Sequence, residues 1–498
     1  MPDPGTLDRL SLATLARVPA AVARPAYDPA KLPVGILHLG LGAFHRAHQA
    51  VYTDDVLAAH PRWGICGVSL KTPRAIEPLA AQDGFYTLLT RSEEATTARV
   101  IGALRETIFG GNARAALIAR FADPRIAIVT ATVTEKGYCH DPATGTLNDA
   151  HPDIVHDLAE PGEPVSAIGI VVAGLDARRA AGAEPLTFVC CDNLPHNGQM
   201  VEGLVLAFAR RRDPALARWI ADHVTFPATM VDRIVPATTD ADFAEADRQL
   251  GVHDAAPVAA ERFGQWIIEN RFASVRPQWE DAGAQLVADV APFELMKLRL
   301  LNGSHSTLAY LGYLMGHELV WQACRDPLLA QLIERQMAEE IVPTLVQPPG
   351  IDLKRYCAQL IERFRNPALP HRTRQIAMDG SQKLPQRLLG TLRDRLAAGA
   401  STRHLTLAVA GWIRYASGRD EHGNAIDVQD PLAEEFRQIV RNASGNPSTI
   451  ADRFLDIASV FGTDLAGNAM FRRAVRTQAS ALFRDGVAAT LAHHLSVS

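Results

Sequence analysis

The sequence predicts an α/β chain in two parts: a doubly wound, parallel-sheet N-terminal domain followed by a mainly α-helical C-terminal domain. Three observations predict it. Short β-branched runs alternate with amphipathic stretches through the first half, the pattern of strand–helix–strand units. From about Pro292 onward, Ala- and Leu-rich stretches with helical spacing replace that alternation. The 498 residues also exceed what one compact core accommodates. The expected division is 1–288 and 289–498.

The candidate strands of the first half are Val34–Leu39, Trp63–Leu70, Ile126–Val133, Leu186–Cys191 and Val224–Pro227. Helical patterns lie between them at His45–Ala58, Asn112–Ala122 and Asn197–Arg212, and a further short strand is expected at Ala284–Ala288. The second half reads as helices over Phe293–Met315, Asp326–Leu345, Leu353–Arg365, Leu384–Ala398 and Ser401–Arg414, with a break at Pro348-Pro349-Gly350. No internal repeat or low-complexity linker separates the halves. A cleft between them is the expected ligand site.

Composition narrows the function. Fifty basic and 55 acidic side chains give a formal net charge of −5, with no Lys/Arg run, which argues against nucleic acid or an anionic membrane as partner. A small acidic substrate stays possible, because one local Arg suffices to bind a carboxylate. The six cysteines form no Cys-x-x-Cys pair and are too few for a disulfide scaffold; Cys190-Cys191, in an apolar run, read as small buried hydrophobes. No apolar stretch reaches about 18 residues, and the first residues lack a cationic start followed by an apolar segment, so a cytoplasmic protein is expected.

The chemistry starts at HLGLGAFHRAH (38–48). Gly40 and Gly42 form a Gly-x-Gly turn after the first strand, where backbone amides approach a pyrophosphate and a helix begins, so a Rossmann-type dinucleotide site is expected. His45 stands where the third fingerprint glycine would be. The acid that binds a ribose 2′-hydroxyl is missing after the second strand; Ser69, Leu70, Lys71 and Thr72 stand there, with Arg74 beyond. NAD is the expected cofactor, with NADP left open, since Lys71 or Arg74 could face a 2′-phosphate or be solvated loop charges.

A second constellation lies in Phe293–His305. On an α-helix, at about 100° per residue, Lys297, Asn302 and His305 span roughly 140° of the surface and can face one cleft. A lysine whose pKa burial lowers serves as acid or base, an Asn amide donates to a reacting oxygen, and a His orients a hydroxyl. His45, His48 and His196 have no convincing third ligand, so no metal is expected.

These segments resemble the polyol-specific long-chain (mannitol) dehydrogenase family. The resemblance covers nearly the whole chain: HLGLGAFHRAHQA (38–50), TVTEKGYC (132–139), CDNLPHNG (191–198), TMVDRIVP (229–236) and KLRLLNGSHS (297–306). It implies a metal-free, NAD(P)-dependent sugar oxidoreductase, usually a monomer, with Lys297 as acid/base. Asn193 and Asn302 would hold the developing alkoxide, and His305 and Asp232 would position substrate and lysine. Glu135 would connect the lysine to solvent protons. The cofactor loop would extend over Ala43, Phe44, His45 and Arg46, with Thr132 added. Asp232 reads equally well as the buried partner of Arg233, and Glu135 as a strand-end cap.

Two further stretches, NPALPHRTRQIAMDGSQKLPQR (366–387) and GWIRYASGRDEHGNAIDVQDP (411–431), resemble the fructuronate reductase branch. The implied reaction interconverts D-fructuronate and D-mannonate, with Arg372 or Lys383 on the carboxylate. Arg374 replaces an aromatic common in that branch and could share this role. A mannitol 2-dehydrogenase is the nearest alternative. A cofactor-binding sensor without turnover would need the glycine turn but not the catalytic set.

Overall fold

The computed structural model describes residues 7–141 and 144–496, which divide into two compact units between Ala291 and Pro292. The N-terminal unit carries twelve strands among the described residues: β1 (Val34–Leu39), β2 (Gly64–Ser69), β3 (Tyr86–Arg91), β4 (Thr96–Ile101), β5 (Leu104–Phe109), β6 (Ile128–Ala131), β7 (Leu186–Cys190), β8 (Val224–Thr225), β9 (Thr229–Asp232), β10 (Val258–Glu261), β11 (Gln265–Glu269) and β12 (Gln285–Val287).

Six of these form one parallel sheet in the order β5-β2-β1-β6-β7-β8. Numbered by their succession within the sheet, this is 3-2-1-4-5-6, the doubly wound order of dinucleotide-binding folds. The sequence explains the centre. Every residue of β1 is buried, as in a strand covered by helices on both faces, and its one polar member is His38. The strand order reverses beside β1, where β2 and β6 flank it, and ligands bind at the carboxyl ends of strands at such a point.

Two smaller sheets complete the unit, β10-β3-β4 and β12-β11-β9. The expected strand Val224–Pro227 is only the short β8, and the chain re-enters as β9, which runs antiparallel to β11. The expected helix His45–Ala58 breaks at His48 (φ −128°, ψ −89°) into Ala43–Ala47 and Gln49–Val56. The His48 ring nitrogen Nε2 lies 2.9 Å from the Gln265 carbonyl.

The described residues of the C-terminal unit form helices and turns. Its core includes helix Ser304–Leu314, in which every residue but Tyr313 is buried, and helix Arg403–Ala416. Trp412 packs against Phe436, Phe454 and Phe461 at 5.6–6.0 Å between ring centroids. Such pairs contribute about 0.5–1.5 kcal/mol beyond their buried area. Three expected α-helices contain π-helical turns: Lys297–Gly303, Gln336–Ile341 and Pro385–Leu389. One has a visible use: the Gln336–Ile341 turn brings Glu340 to cap helix Arg403–Ala416, accepting from the amides of His404 and Leu405 at 2.9 and 2.8 Å. Among the described residues no helix is long and apolar enough to cross a membrane, and all six cysteines are free thiols.

Candidate active site

In the N-terminal unit the site begins at the end of β1. Gly40 adopts φ +95°, and a Cβ there would collide with the Thr132 carbonyl, so only glycine fits. A Cβ on Gly42 would meet only the Gly40 carbonyl, at 3.7 Å, so this position faces open space. That space is a cleft of about 240 Å³ whose lining includes Gly40, Gly42, Ser69, Lys71, Thr132 and Asp153. The glycine turn therefore offers bare backbone to a ligand, as a pyrophosphate requires.

Below the turn lies a buried polar stack. His38 Nε2 sits 3.1 Å from the Gly40 carbonyl, which can only accept, so this nitrogen carries the proton; Nδ1 then accepts from Thr130 at 2.8 Å. Thr132 Oγ1 donates to the same carbonyl at 2.8 Å. The His45 ring stacks on His38 with centroids 3.3 Å apart. Burial drives His38 down to about 3 and His45 well below its ordinary value, so both stay neutral. His45 thus replaces the third fingerprint glycine by flat ring packing of helix on strand.

Gly40, Gly42 and Thr132 line the cleft, and Ala43 and Phe44 are half-buried on the first helical turn. His45 and Arg46 turn away from it. Arg46 donates to the Ala256 carbonyl at 2.5 Å and lies over the Tyr86 ring. These two side chains brace the loop against the rest of the unit.

Asp192, at the end of β7, was not singled out from the sequence. Its carboxylate accepts from the amides of Val133 and Thr134 at 2.9 and 3.1 Å and from the Tyr138 hydroxyl at 2.8 Å. It thereby holds the segment carrying Glu135, which is exposed in a short turn after β6. Burial pushes Asp192 up to about 6, with the nearby Glu135 charge adding to it against these donors. Asn193, exposed, follows directly. Asn197 Nδ2 donates to the Asp192 carbonyl at 3.1 Å and the Thr229 carbonyl at 2.9 Å, tying the Asn193 turn to β9 and so to buried Asp232 at its end. Arg233 donates to the backbone carbonyls of Glu261 and Ala47. Short polar residues in CDNLPHNG were the available signal for this scaffold; their partners, distant in sequence, were not visible.

In the C-terminal unit Lys297 opens the π-helical turn and is 8% exposed. The π-helical turn carries both Lys297 and Asn302 and changes their angular spacing from the α-helical one. A Cβ on Gly303 would lie 2.7 Å from the Arg387 carbonyl, so this glycine lets two π turns pack together. His305 is buried, its Nε2 has no hydrogen-bond partner among the described residues, and its ring meets Phe364 at 5.2 Å and His371 at 4.8 Å. Burial, then the charges of His371, Arg387, Arg363 and Lys383, hold it well below the usual imidazole range. His371 is brought down to about 4 by burial and Lys383. Lys383 thus belongs with His305.

Arg372 and Arg374 are brought together elsewhere, in an exposed groove of about 350 Å³ with Tyr313, Glu318 and Thr373. Arg372 is paired there with Glu318.

Among the described residues, Cys139, His151 and Asp153 form the one group with three potential metal-ligating atoms within 4.8 Å of one another.

The family model of the mannitol dehydrogenase Rossmann domain matches residues 34–281, and that of the mannitol dehydrogenase C-terminal domain matches 289–483. The chain belongs to the mannitol dehydrogenase family. It is 49% identical to the D-mannonate oxidoreductase of Escherichia coli over 91% of this chain and 94% of that protein. It is 39% identical to the mannitol 2-dehydrogenase of Phaeosphaeria nodorum over 94% and 83%. Mannitol 2-dehydrogenase from Pseudomonas fluorescens, solved with NAD and D-mannitol, superposes with a TM-score of 0.89 at 38% identity, covering 98% of this chain and all of that one. As a mannitol dehydrogenase family member the chain is an oxidoreductase.

Proposed function

We propose that this oxidoreductase interconverts D-fructuronate and D-mannonate with a nicotinamide dinucleotide. The observation that carries it is the cationic surround of His305: Arg387, Arg363 and Lys383 all act on it, suiting a substrate with a carboxylate. The 49% identity to a D-mannonate oxidoreductase supports the same substrate class. Arg372, exposed and paired with Glu318, suits that role less than Lys383 does.

The glycine turn, open at Gly42 and backed by Thr132, fits a dinucleotide. When bound, the nicotinamide supplies or takes the hydride at the sugar carbon. Lys297, as the ammonium, gives its proton to the carbonyl oxygen during reduction and takes it back from the hydroxyl during oxidation. Asn302 and Asn193 donate amide N–H groups to the oxygen as charge develops there. Neutral His305 orients a substrate hydroxyl, Asp232 positions substrate and lysine, and Glu135 passes protons between lysine and solvent.

Purified protein is expected to oxidise NADH or NADPH with D-fructuronate faster than with D-tagaturonate or D-fructose. Turnover with D-fructose and none with D-fructuronate would replace this reading by a mannitol 2-dehydrogenase, which the similarity to the mannitol-bound structure favours as the second choice.

A further inference from the structure

The short turn Glu135–Tyr138 after β6 runs into Cys139, which takes a left-handed conformation (φ 52°, ψ 36°) that a residue with a Cβ adopts only at a cost. The backbone then folds back on itself. His140 pairs antiparallel with Leu147, and the Asn148 amide donates to the Cys139 carbonyl at 3.0 Å. The His151 amide donates to the Asn148 carbonyl, also at 3.0 Å. His151 is the N-cap of the helix Pro152–Ala159, its Nδ1 accepting from the Asp153 amide at 3.2 Å. Both ends of this excursion are anchored, by the Tyr138 hydroxyl on Asp192 at 2.8 Å and by the fully buried Ile154. Folding thus brings Cys139 to His151 and Asp153.

What converges there is a mixed ligand set. One thiol sulfur, one imidazole nitrogen and one carboxylate oxygen all lie within 4.8 Å of one another. A tetrahedral zinc, with bonds of about 2.0–2.3 Å, sets its ligands about 3.3–3.8 Å apart, so modest side-chain rotations close the difference. The thiol makes one weak contact, to the Gly137 carbonyl at 3.9 Å, and the Asp153 carboxylate accepts no hydrogen bond from the described residues. Burial, then Asp153, holds the Cys139 thiol up at about 11, with Lys71 opposing and Asp157 adding. A divalent cation replaces the thiol proton and supplies the positive charge that this balance lacks.

We infer that Cys139, His151 and Asp153 form an exchangeable zinc site beside the cleft, separate from the residues assigned to the reaction. Sulfur together with imidazole selects zinc over magnesium, calcium or manganese, which prefer oxygen ligands alone. Three protein ligands leave a fourth position open, whereas structural zinc sites are closed by four, so the metal is not a part of the fold. His151 argues the same way. While Nδ1 accepts from the Asp153 amide, the ring proton sits on Nε2. Ligation through either nitrogen ends that cap, directly at Nδ1 or by moving the proton there from Nε2. Zinc therefore competes with a helix cap, which tempers its affinity and keeps it exchangeable. Asp153 also lines the cleft with Gly40 and Gly42, so filling the site alters one wall of it. The site itself stands on these three side chains and does not depend on what the cleft binds.

The test is a titration of the reduced, chelator-treated full chain with cobalt(II), which accepts zinc's geometry and reports its ligands by absorption. One equivalent is expected to bind, with a sulfur-to-cobalt charge-transfer band in the near ultraviolet that zinc bleaches and magnesium does not. Cys139→Ser is expected to abolish that band. His151→Asn and Asp153→Asn are each expected to weaken zinc about tenfold or more, since even a residue behind a metal ligand is worth that much. Asn is itself a good N-cap, so His151→Asn removes the imidazole while keeping the helix start, and its unfolding midpoint without metal checks that the fold is kept. Cys357→Ser, which removes the one cysteine that is only half-buried, is expected to leave the titration unchanged. A charge-transfer band that survives Cys139→Ser or disappears in Cys357→Ser overturns the inference. So does unchanged zinc affinity in either His151→Asn or Asp153→Asn, or the absence of any cobalt band in the intact protein.

Discussion

Lys297 combines low exposure with a place at the start of a π-helical turn that also carries Asn302. If Lys297 is the acid/base, Lys297→Ala lowers kcat by about 10²–10⁴-fold. NADH binding should survive, because the glycine turn and its cleft are built from residues of the N-terminal unit. Steady-state rates beside a nucleotide titration check both; unimpaired turnover would remove the lysine from the mechanism. Asp192 makes a second prediction. Its two oxygens take three donors, so the ionised form is needed to hold the Glu135 segment. Because burial raises this carboxyl to about 6, it gains a proton as pH falls through that value. The new O–H then faces donors, one contact is lost, and kcat/KM should drop on the acid side of pH about 6. Asp192→Asn carries an amide NH2 at every pH, so it should be slow throughout and lack that inflection. An unchanged inflection in the variant would assign it to another group. Lys297, Asn302, Asn193 and Asp232 stand in motifs that the sequence alone singles out, and their roles remain the proposal above, whereas Asp192 and Asn197 act on backbone brought near only by folding.

Helix period is what misled at the next scale. Phe293–Met315 carries a helical apolar pattern, and one widened turn leaves that pattern nearly intact while re-aiming the polar side chains. Nothing local announces the widening; its cause is the packing of Gly303 against the Arg387 carbonyl on another π turn. Adding a methyl there tests the idea. Gly303→Ala puts a Cβ at 2.7 Å from that carbonyl, so the two turns must separate, at a cost of about 1–3 kcal/mol. The expected outcome is a lower midpoint of thermal unfolding together with a disproportionate fall in kcat, as Lys297 and Asn302 shift. A variant with wild-type kcat would mean the π turn tolerates displacement. Strands were read well where both faces are buried, as in β1, β2, β6 and β7. β4 and β5 were missed because each keeps exposed or half-buried positions and charged residues, so neither gives a continuous apolar run. His48 broke the expected helix for a tertiary reason, its contact with the Gln265 carbonyl.

At the scale of the whole molecule, the change from strand–helix alternation to helical periodicity was the most legible feature, because it is summed over hundreds of residues rather than resting on one turn. The fate of charge was less legible. Arg372, Arg374 and Lys383 lie within twelve residues of one another in sequence, yet folding sends the arginines to an exposed groove with Glu318 and the lysine to the surround of His305. A net charge of −5 does not favour approach of an anionic sugar, and at physiological salt exposed charges are screened over about 8 Å. Recognition of a carboxylate must then be local, and Lys383 with Arg387 and Arg363 are the cations acting on His305. Lys383→Met keeps the aliphatic stem and removes the charge. It should raise KM for D-fructuronate about tenfold or more, the size of a charge-assisted contact, while changing KM for D-fructose much less. The same contrast should appear without mutation, since added salt should raise KM for the uronate and leave that for the uncharged ketose nearly constant. If Lys383→Met raises both constants equally, the lysine holds a part of the sugar common to both substrates, and Arg387 and Arg363 become the residues to replace when locating the carboxylate.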